Sequence, residues 1–321
     1  MKVLVISGFL GAGKTTFIKN LIGATGKYIV VLENEYGQND LDAQELSQSG
    51  PADLKLLEFM EGCVCCTKKG QFSNTILAIS ASIDPDYLVV EPTGVGKLSS
   101  ILEAIQKVSY EKIQILPPVV ILSPETFGSN MKEFGDIYKD QISNAGKVVF
   151  SKCEHADSDM MLATAKEISA INSTAEILTE HYSHMSKEWW DSLLLCEGEE
   201  LSVVSLDDEK DSNLTQVTLK NGHLDNPAEL VILLEDVLHH EFGNIPRAKG
   251  VIKVGEEWLR FSLADKRYTI TGQDETEETT TQCVFIGKEP DKSRLADRMN
   301  SWDDLFAFGD PLQQWISPQP E

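Results

Sequence analysis

Basic residues are scarce in this chain: 28 Lys and Arg stand against 51 Asp and Glu, a formal charge of −23. Such a surface repels phosphate backbones and anionic lipid, which argues against nucleic-acid or membrane-surface binding outside a dedicated phosphate site. Long apolar runs are missing too. No stretch approaches the ~20 residues of a membrane helix, and Met1 leads directly into an apolar strand with neither a charged leader nor a cleavage site. A cytoplasmic location is the resulting expectation. In that reducing compartment the six cysteines should be thiols, so a cluster of them points to metal or redox chemistry rather than to a structural bridge. Internal repeats are also absent.

What is present is enough sequence for two domains: 321 residues, 41% of them hydrophobic. Apolar runs at Val3–Ile6, Tyr28–Glu33, Leu54–Glu58, Tyr87–Glu91, Val119–Leu122 and Lys147–Phe150 alternate with helical patterns near 70–82, 98–107 and 157–172. That alternation predicts an α/β domain with a mostly parallel sheet covered on both faces. The pattern changes after about residue 196. Residues 197–212 form a charge-rich joint, and 213–321 read as a smaller α+β domain with an antiparallel sheet. Its expected strands lie at Gln216–Leu219, Gly250–Val254, Trp258–Phe261 and Cys283–Ile286. Its expected helices are Ala228–Phe242 and one near 291–299, with Asp274–Thr281 as a solvated hairpin loop.

The most specific motif is Gly8-Phe9-Leu10-Gly11-Ala12-Gly13-Lys14-Thr15, a complete G-x-x-x-x-G-K-T between the first strand and the first helix. Gly8, Gly11 and Gly13 let the backbone approach phosphates, joined by the N–H groups of Ala12, Thr15 and Thr16 at the helix start. Lys14 can reach the β- and γ-phosphates, and the Thr15 hydroxyl can hold Mg²⁺. A nucleoside triphosphate is the expected ligand. Glu91-Pro92-Thr93-Gly94 follows a buried strand downstream. It offers Glu91 as a carboxylate for Mg²⁺ and Gly94 as a backbone switch at the γ-phosphate, so Lys14, Glu91 and Gly94 are the expected catalytic set.

Base recognition falls to Ser151-Lys152-Cys153-Glu154, after a later strand. A carboxylate only accepts, so Glu154 suits the N1–H and 2-amino donors of guanine, and Lys152 can lay its stem along the base. The alternative reading makes Glu154 an ordinary acid at a helix N-terminus. Cys63-Val64-Cys65-Cys66 puts three thiols within four residues, a soft donor set for Zn²⁺, Cu⁺ or Co²⁺ that leaves a tetrahedral ion one ligand short. Glu33 or Glu35 can fill that position, or it stays open so that metal can leave. Buried packing or a redox pair is the competing account of the thiols. His181-x-x-His184 and His239-His240 are weaker metal candidates, while Cys153, Cys196 and Cys283 read as packing residues.

Taken in order, Gly8 to Thr16, Glu33-Asn34-Glu35-Tyr36-Gly37, Gly62-Cys63-Val64-Cys65-Cys66-Thr67 and Glu91 to Gly94 resemble the CobW-like family of P-loop GTPases, relatives of the urease and hydrogenase nickel-insertion GTPases. Arg247 to Trp258 and Cys283 to Gly287 are similar to that family's C-terminal domain. The resemblance implies a Mg²⁺-dependent GTPase that carries a transition metal, Zn²⁺ or Co²⁺, on Cys63, Cys65 and Cys66. Glu35 would lie in a switch segment that joins metal and nucleotide. It further implies a client metalloprotein or cofactor-synthesis enzyme as partner, with a homodimer left open. A nucleotide-gated metal sensor or adaptor with incidental hydrolysis is the alternative. Three departures stand out: Ser151-Lys152-Cys153-Glu154 replaces an N/T-K-x-D form, Ser123-Pro124 replaces a strand-terminal Asp, and no His-rich tract is present. A modest preference for GTP over ATP is therefore expected, and turnover should be slow, since no arginine finger lies near these motifs.

Overall fold

A computed structural model describes residues 1–33, 55–58, 69–110, 112–195, 203–204, 214–275 and 279–300. The chain divides into two compact units, Met1–Ser212 and Asn213–Glu321.

In the first unit the strands are β1 (Lys2–Gly8), β2 (Ile29–Glu33), β3 (Lys55–Glu58), β4 (Tyr87–Glu91), β5 (Gln114–Ile115), β6 (Val119–Leu122), β7 (Lys147–Phe150) and β8 (Glu176–Leu178). They form one sheet in the order β3-β2-β4-β1-β6-β7-β8, with the short β5 also on β1. Every strand pair in it is parallel. Crossover helices cover a parallel sheet on both faces, which is why its inner strands are apolar throughout. Val3 to Ile6, Ile29 to Leu32 and Val119 to Leu122 are all at most 2% exposed. The crossings are α1 (Lys14–Thr25), α2 (Lys69–Ser82), α3 (Leu98–Gln106), α4 (Pro124–Ser143) and α5 (Ser158–Ile171), followed by the short α6 (Lys187–Ser192). Phe17, Ile18 and Leu21 of α1 pack with Trp190, Leu193 and Leu194, so the tryptophan and leucine segment belongs to the core. Leu195 is the exception, half exposed.

The 20-residue α4 is absent from the sequence expectation. Its buried positions include Phe127, Asn130, Phe134, Tyr138 and Gln141, a helical spacing in which polar side chains occupy part of the inner face. Hydrophobic periodicity cannot register a buried face that is partly polar. Pro124 opens the helix at a position where its missing N–H costs nothing.

The second unit contains β9 (Leu214–Lys220), β10 (His223–Leu224), α7 (Pro227–Leu238), β11 (Asn244–Val254), β12 (Glu257–Ala264), β13 (Arg267–Gly272), β14 (Gln282–Lys288) and α8 (Lys292–Arg298). The order β13-β12-β11-β14-β9 is antiparallel throughout, with β10 alongside β11. Leu230, Leu233, Leu234 and Val237 of α7 meet Ala248, Ile252, Phe261, Leu263 and Phe285 of the sheet. Two expectations need correcting. Helix α7 ends at Leu238 because His239 leaves helical geometry and His240 turns into the left-handed region at φ 64°. The segment 274–281 is no hairpin loop: β13 lies at the sheet edge and β14 between β11 and β9, so the strands it joins do not pair. No helix among the described residues is long and apolar enough to cross a membrane.

Candidate functional site

The phosphate loop runs from the carboxyl end of β1 into α1, at the sheet edge where open α/β folds take their ligands. Its glycines are needed for two different reasons. Gly13, the N-cap of α1, sits at φ 92° in left-handed geometry, which a side chain would strain. At Gly8 a Cβ would lie 2.3 Å from the Ile121 carbonyl oxygen on β6. No side chain caps α1 and its first turn holds no acid, so an anion meets no built-in competitor there. Lys14 is buried, its ammonium donating to the Gly8 carbonyl at 3.2 Å and to that of Phe9 at 3.4 Å. The cation thus folds back over the loop whose ligand it would contact.

Glu91 ends β4, which neighbours β1. The Thr15 hydroxyl donates to the Glu91 carboxylate, at 3.1 Å from Oε1 and 3.3 Å from Oε2. Two residues 76 positions apart therefore meet as a hydroxyl and a carboxylate, hard oxygen donors of the kind Mg²⁺ prefers. Glu33, buried on β2, stands in register with Glu91. After Glu91 the chain makes a tight turn in which the Gly96 N–H donates to the Thr93 carbonyl at 3.0 Å. Gly94 is pressed against the phosphate loop so closely that a Cβ would sit 2.5 Å from the Leu10 nitrogen.

Beyond β7, Ser151 is buried and donates its hydroxyl to the Ala12 carbonyl at 2.5 Å, tying this loop to the phosphate loop. Lys152 adopts φ 51°, and Glu154 is exposed. Helix α5 starts only at Ser158, with Asp157 accepting from the Met160 N–H. Glu154 therefore lies in the loop rather than in a helical first turn. Cys153 is half-buried rather than a packing residue, and burial, followed by the charges of Glu154 and Glu125, pushes its thiol up to about 11. Glu125 at the start of α4 accepts from the His155 N–H at 2.8 Å.

Strand β8, only three residues long, left no signal in the sequence, and the loop after it was marked there only by the His181-x-x-His184 pair. It carries Tyr182, whose phenol is raised by burial and by the nearby Cys153 and Glu154. His181 stacks on Tyr182 at 4.4 Å and its Nδ1 meets the Ser183 hydroxyl at 2.7 Å. His239 closes α7, with Nδ1 2.8 Å from the Glu235 carbonyl. Cys283 is buried and burial raises its thiol. Among the described residues no group of three His, Cys, Asp or Glu is placed to hold a metal ion. Glu35, Cys63, Cys65, Cys66 and Cys196 lie outside the described residues.

A glycine-cradled anion site at the edge of a parallel sheet, with a Thr–Glu oxygen pair beside it, defines a P-loop nucleotide-binding protein. The chain belongs to the CobW/HypB/UreG family: residues 2–179 match its nucleotide-binding domain, and residues 214–302 match the cobalamin synthesis protein CobW C-terminal domain. Among characterised proteins it is 24% identical over 198 residues to the zinc chaperone CobW of Pseudomonas aeruginosa, covering 52% of this chain and 53% of that one. It is 31% identical over 153 residues to the zinc chaperone YeiR of Escherichia coli, covering 47% and 46%. The chain thus spans about half the length of these relatives. The crystal structure of Zn(II)-bound YjiA GTPase from E. coli aligns at 18% identity with a TM-score of 0.46, covering 94% of this chain and 98% of that one.

Proposed function

We propose that this protein is a Mg²⁺-dependent GTPase that binds a transition metal through Cys63, Cys65 and Cys66 and hands it to a client protein or cofactor pathway. The observation that carries the reading is the Thr15–Glu91 contact beneath a loop closed by Gly94. It joins the phosphate site to the segment that would respond to a γ-phosphate. Thr15 and Glu91 are the residues that would hold Mg²⁺, which when bound neutralises phosphate charge. Lys14 holds the β- and γ-phosphates, the N–H groups of Gly11 to Thr16 surround them, and Gly94 offers its N–H to the γ-phosphate. Positioning and charge neutralisation are then the whole of the chemistry, so intrinsic turnover is slow.

Lys152 and Glu154 read the base, with Glu154 accepting from guanine donors and disfavouring the acceptor N1 of adenine. The cargo is Zn²⁺ or Co²⁺, since three thiolates favour soft or borderline ions and leave a position open for transfer. Zinc chaperones among the relatives support that reading. Nucleotide state and metal affinity are coupled through Glu35 and the Glu91–Gly94 turn, and linkage makes the coupling reciprocal.

Titration of Zn²⁺ and Co²⁺ into apo, GDP and non-hydrolysable GTP-analogue forms, followed by the cobalt–thiolate absorption band, tests the reading. Affinity should differ between nucleotide states and collapse when the three cysteines become serine. Tight binding that survives the triple change would move the metal elsewhere. Equal affinity in every nucleotide state would remove the delivery mechanism.

A further inference from the structure

Helix α4 touches the candidate site through Glu125 at its start, and four side chains further along it reach the segments around the phosphate loop. Gln141 is fully buried, and its Nε2 donates to two carbonyls of the turn after Glu91, Gly96 at 3.2 Å and Gly94 at 3.4 Å. Two acceptors facing one atom fix that atom as the amide nitrogen. The adjacent Asp140 is equally buried and accepts from the Ser99 N–H at 3.1 Å and the Ser99 hydroxyl at 2.5 Å, pinning the start of α3. Consecutive side chains of one helix therefore anchor both ends of residues 94–99.

The same helix holds the phosphate loop. Phe9 packs on Phe134 at 4.9 Å and on Tyr138 at 5.2 Å, and Phe134 departs from helical geometry at φ −131°, ψ 33°. The Gln141 Oε1 is buried and accepts no hydrogen bond among the described residues. It leaves an acceptor available to an N–H of the turn in a second position.

We propose that Gln141 is a positioning residue that sets the Thr93–Gly96 turn for contact with the γ-phosphate, acting through the carbonyls of Gly94 and Gly96. The inference deepens the reading of the site as a GTPase and rests on it. A diphosphate ends before the turn and a triphosphate reaches it, so removal of the amide should separate the two nucleotides.

The test uses the full chain carrying Gln141→Met, which keeps the volume and removes both the donor and the unpaired oxygen. Affinities for GDP and for a non-hydrolysable GTP analogue are measured with phosphate release and thermal melting. GDP affinity should stay within about twofold of wild type, while analogue affinity and kcat fall about tenfold. Gln141→Glu supplies a second readout through its pH profile. Burial raises the carboxyl's pKa, so the variant should approach wild type where the protonated acid again donates and show the same loss as pH rises and the carboxyl ionises. Equal losses for both nucleotides, or an unchanged analogue-to-GDP ratio, would overturn the positioning role and leave the GTPase reading standing. Wild-type protein that binds neither nucleotide would overturn that reading and this one with it.

Discussion

Gly94→Ala perturbs the close approach between the turn and the phosphate loop directly. The added Cβ would lie 2.5 Å from the Leu10 nitrogen and 2.8 Å from both the Leu10 Cα and the Phe9 carbonyl carbon. All three are backbone atoms, so no side chain can rotate away. The turn and the phosphate loop must part by about 1 Å to restore ordinary van der Waals separation. Overpacking of this kind costs roughly 1–3 kcal/mol. In a unit the size of Met1–Ser212, 2 kcal/mol lowers the melting temperature by roughly 4–8 °C. The kinetic effect should be larger, because a displacement of about 1 Å in positioned groups can cost on the order of 100-fold in rate. Gly128→Ala is the internal control. Gly128 is exposed within α4 and an added Cβ meets nothing within 4 Å. Alanine there should stabilise by roughly 0.5–1 kcal/mol and leave turnover alone. The paired assay is differential scanning fluorimetry with phosphate release at saturating GTP and Mg²⁺. A Gly94→Ala protein that melts and turns over like wild type would show that the close approach is dispensable.

Lys14→Ala should lower GTP turnover by on the order of 100-fold or more with a melting temperature within a few degrees of wild type, and undiminished phosphate release would remove Lys14 from the machinery. Glu154→Ala should erase a GTP preference measurable by competition with ATP; a preference that persists would place base reading elsewhere. Burial holds the Asp140 carboxyl above its ordinary 3.8, although the Ser99 hydroxyl and N–H, the Leu98 N–H and the Lys97 charge pull it down. The folded state then binds that proton more tightly than the unfolded chain, so this contribution is present at low pH and is lost as pH rises through the folded pKa. Asp140→Asn should flatten that part of the stability profile in urea unfolding at a series of pH values, and an unaltered slope would refute the assignment. The Cys153 thiol, raised from 9.0 to about 11, should have a thiolate fraction about a hundredfold below an ordinary thiol's, and timed alkylation with peptide mapping should find it correspondingly slow.

By itself the sequence determined the parts of this protein that rest on local chemistry. A glycine loop between an apolar strand and a helix has one economical backbone solution, and runs of buried β-branched residues separated by helical periods admit little besides a covered parallel sheet. Strands β1, β4, β6 and β7 were legible to within a residue or two for that reason. Helix α4 was not, because Asn130, Asp140 and Gln141 interrupt its apolar face; Asn130 meets Tyr138 on the same helix, while Asp140 and Gln141 find their partners only in the fold. The tertiary structure alone decided that β4 lies beside β1, which brings Glu91 to Thr15 and Gly94 to Leu10 across more than 75 residues. It likewise decided that Ser151 braces Ala12 and that Tyr182 stands near Cys153 and Glu154. Composition and spacing along a chain carry no information about which strand edges become neighbours. That order follows from the burial of both sheet faces and the handedness of the crossovers, so the site exists only where the strand order assembles it.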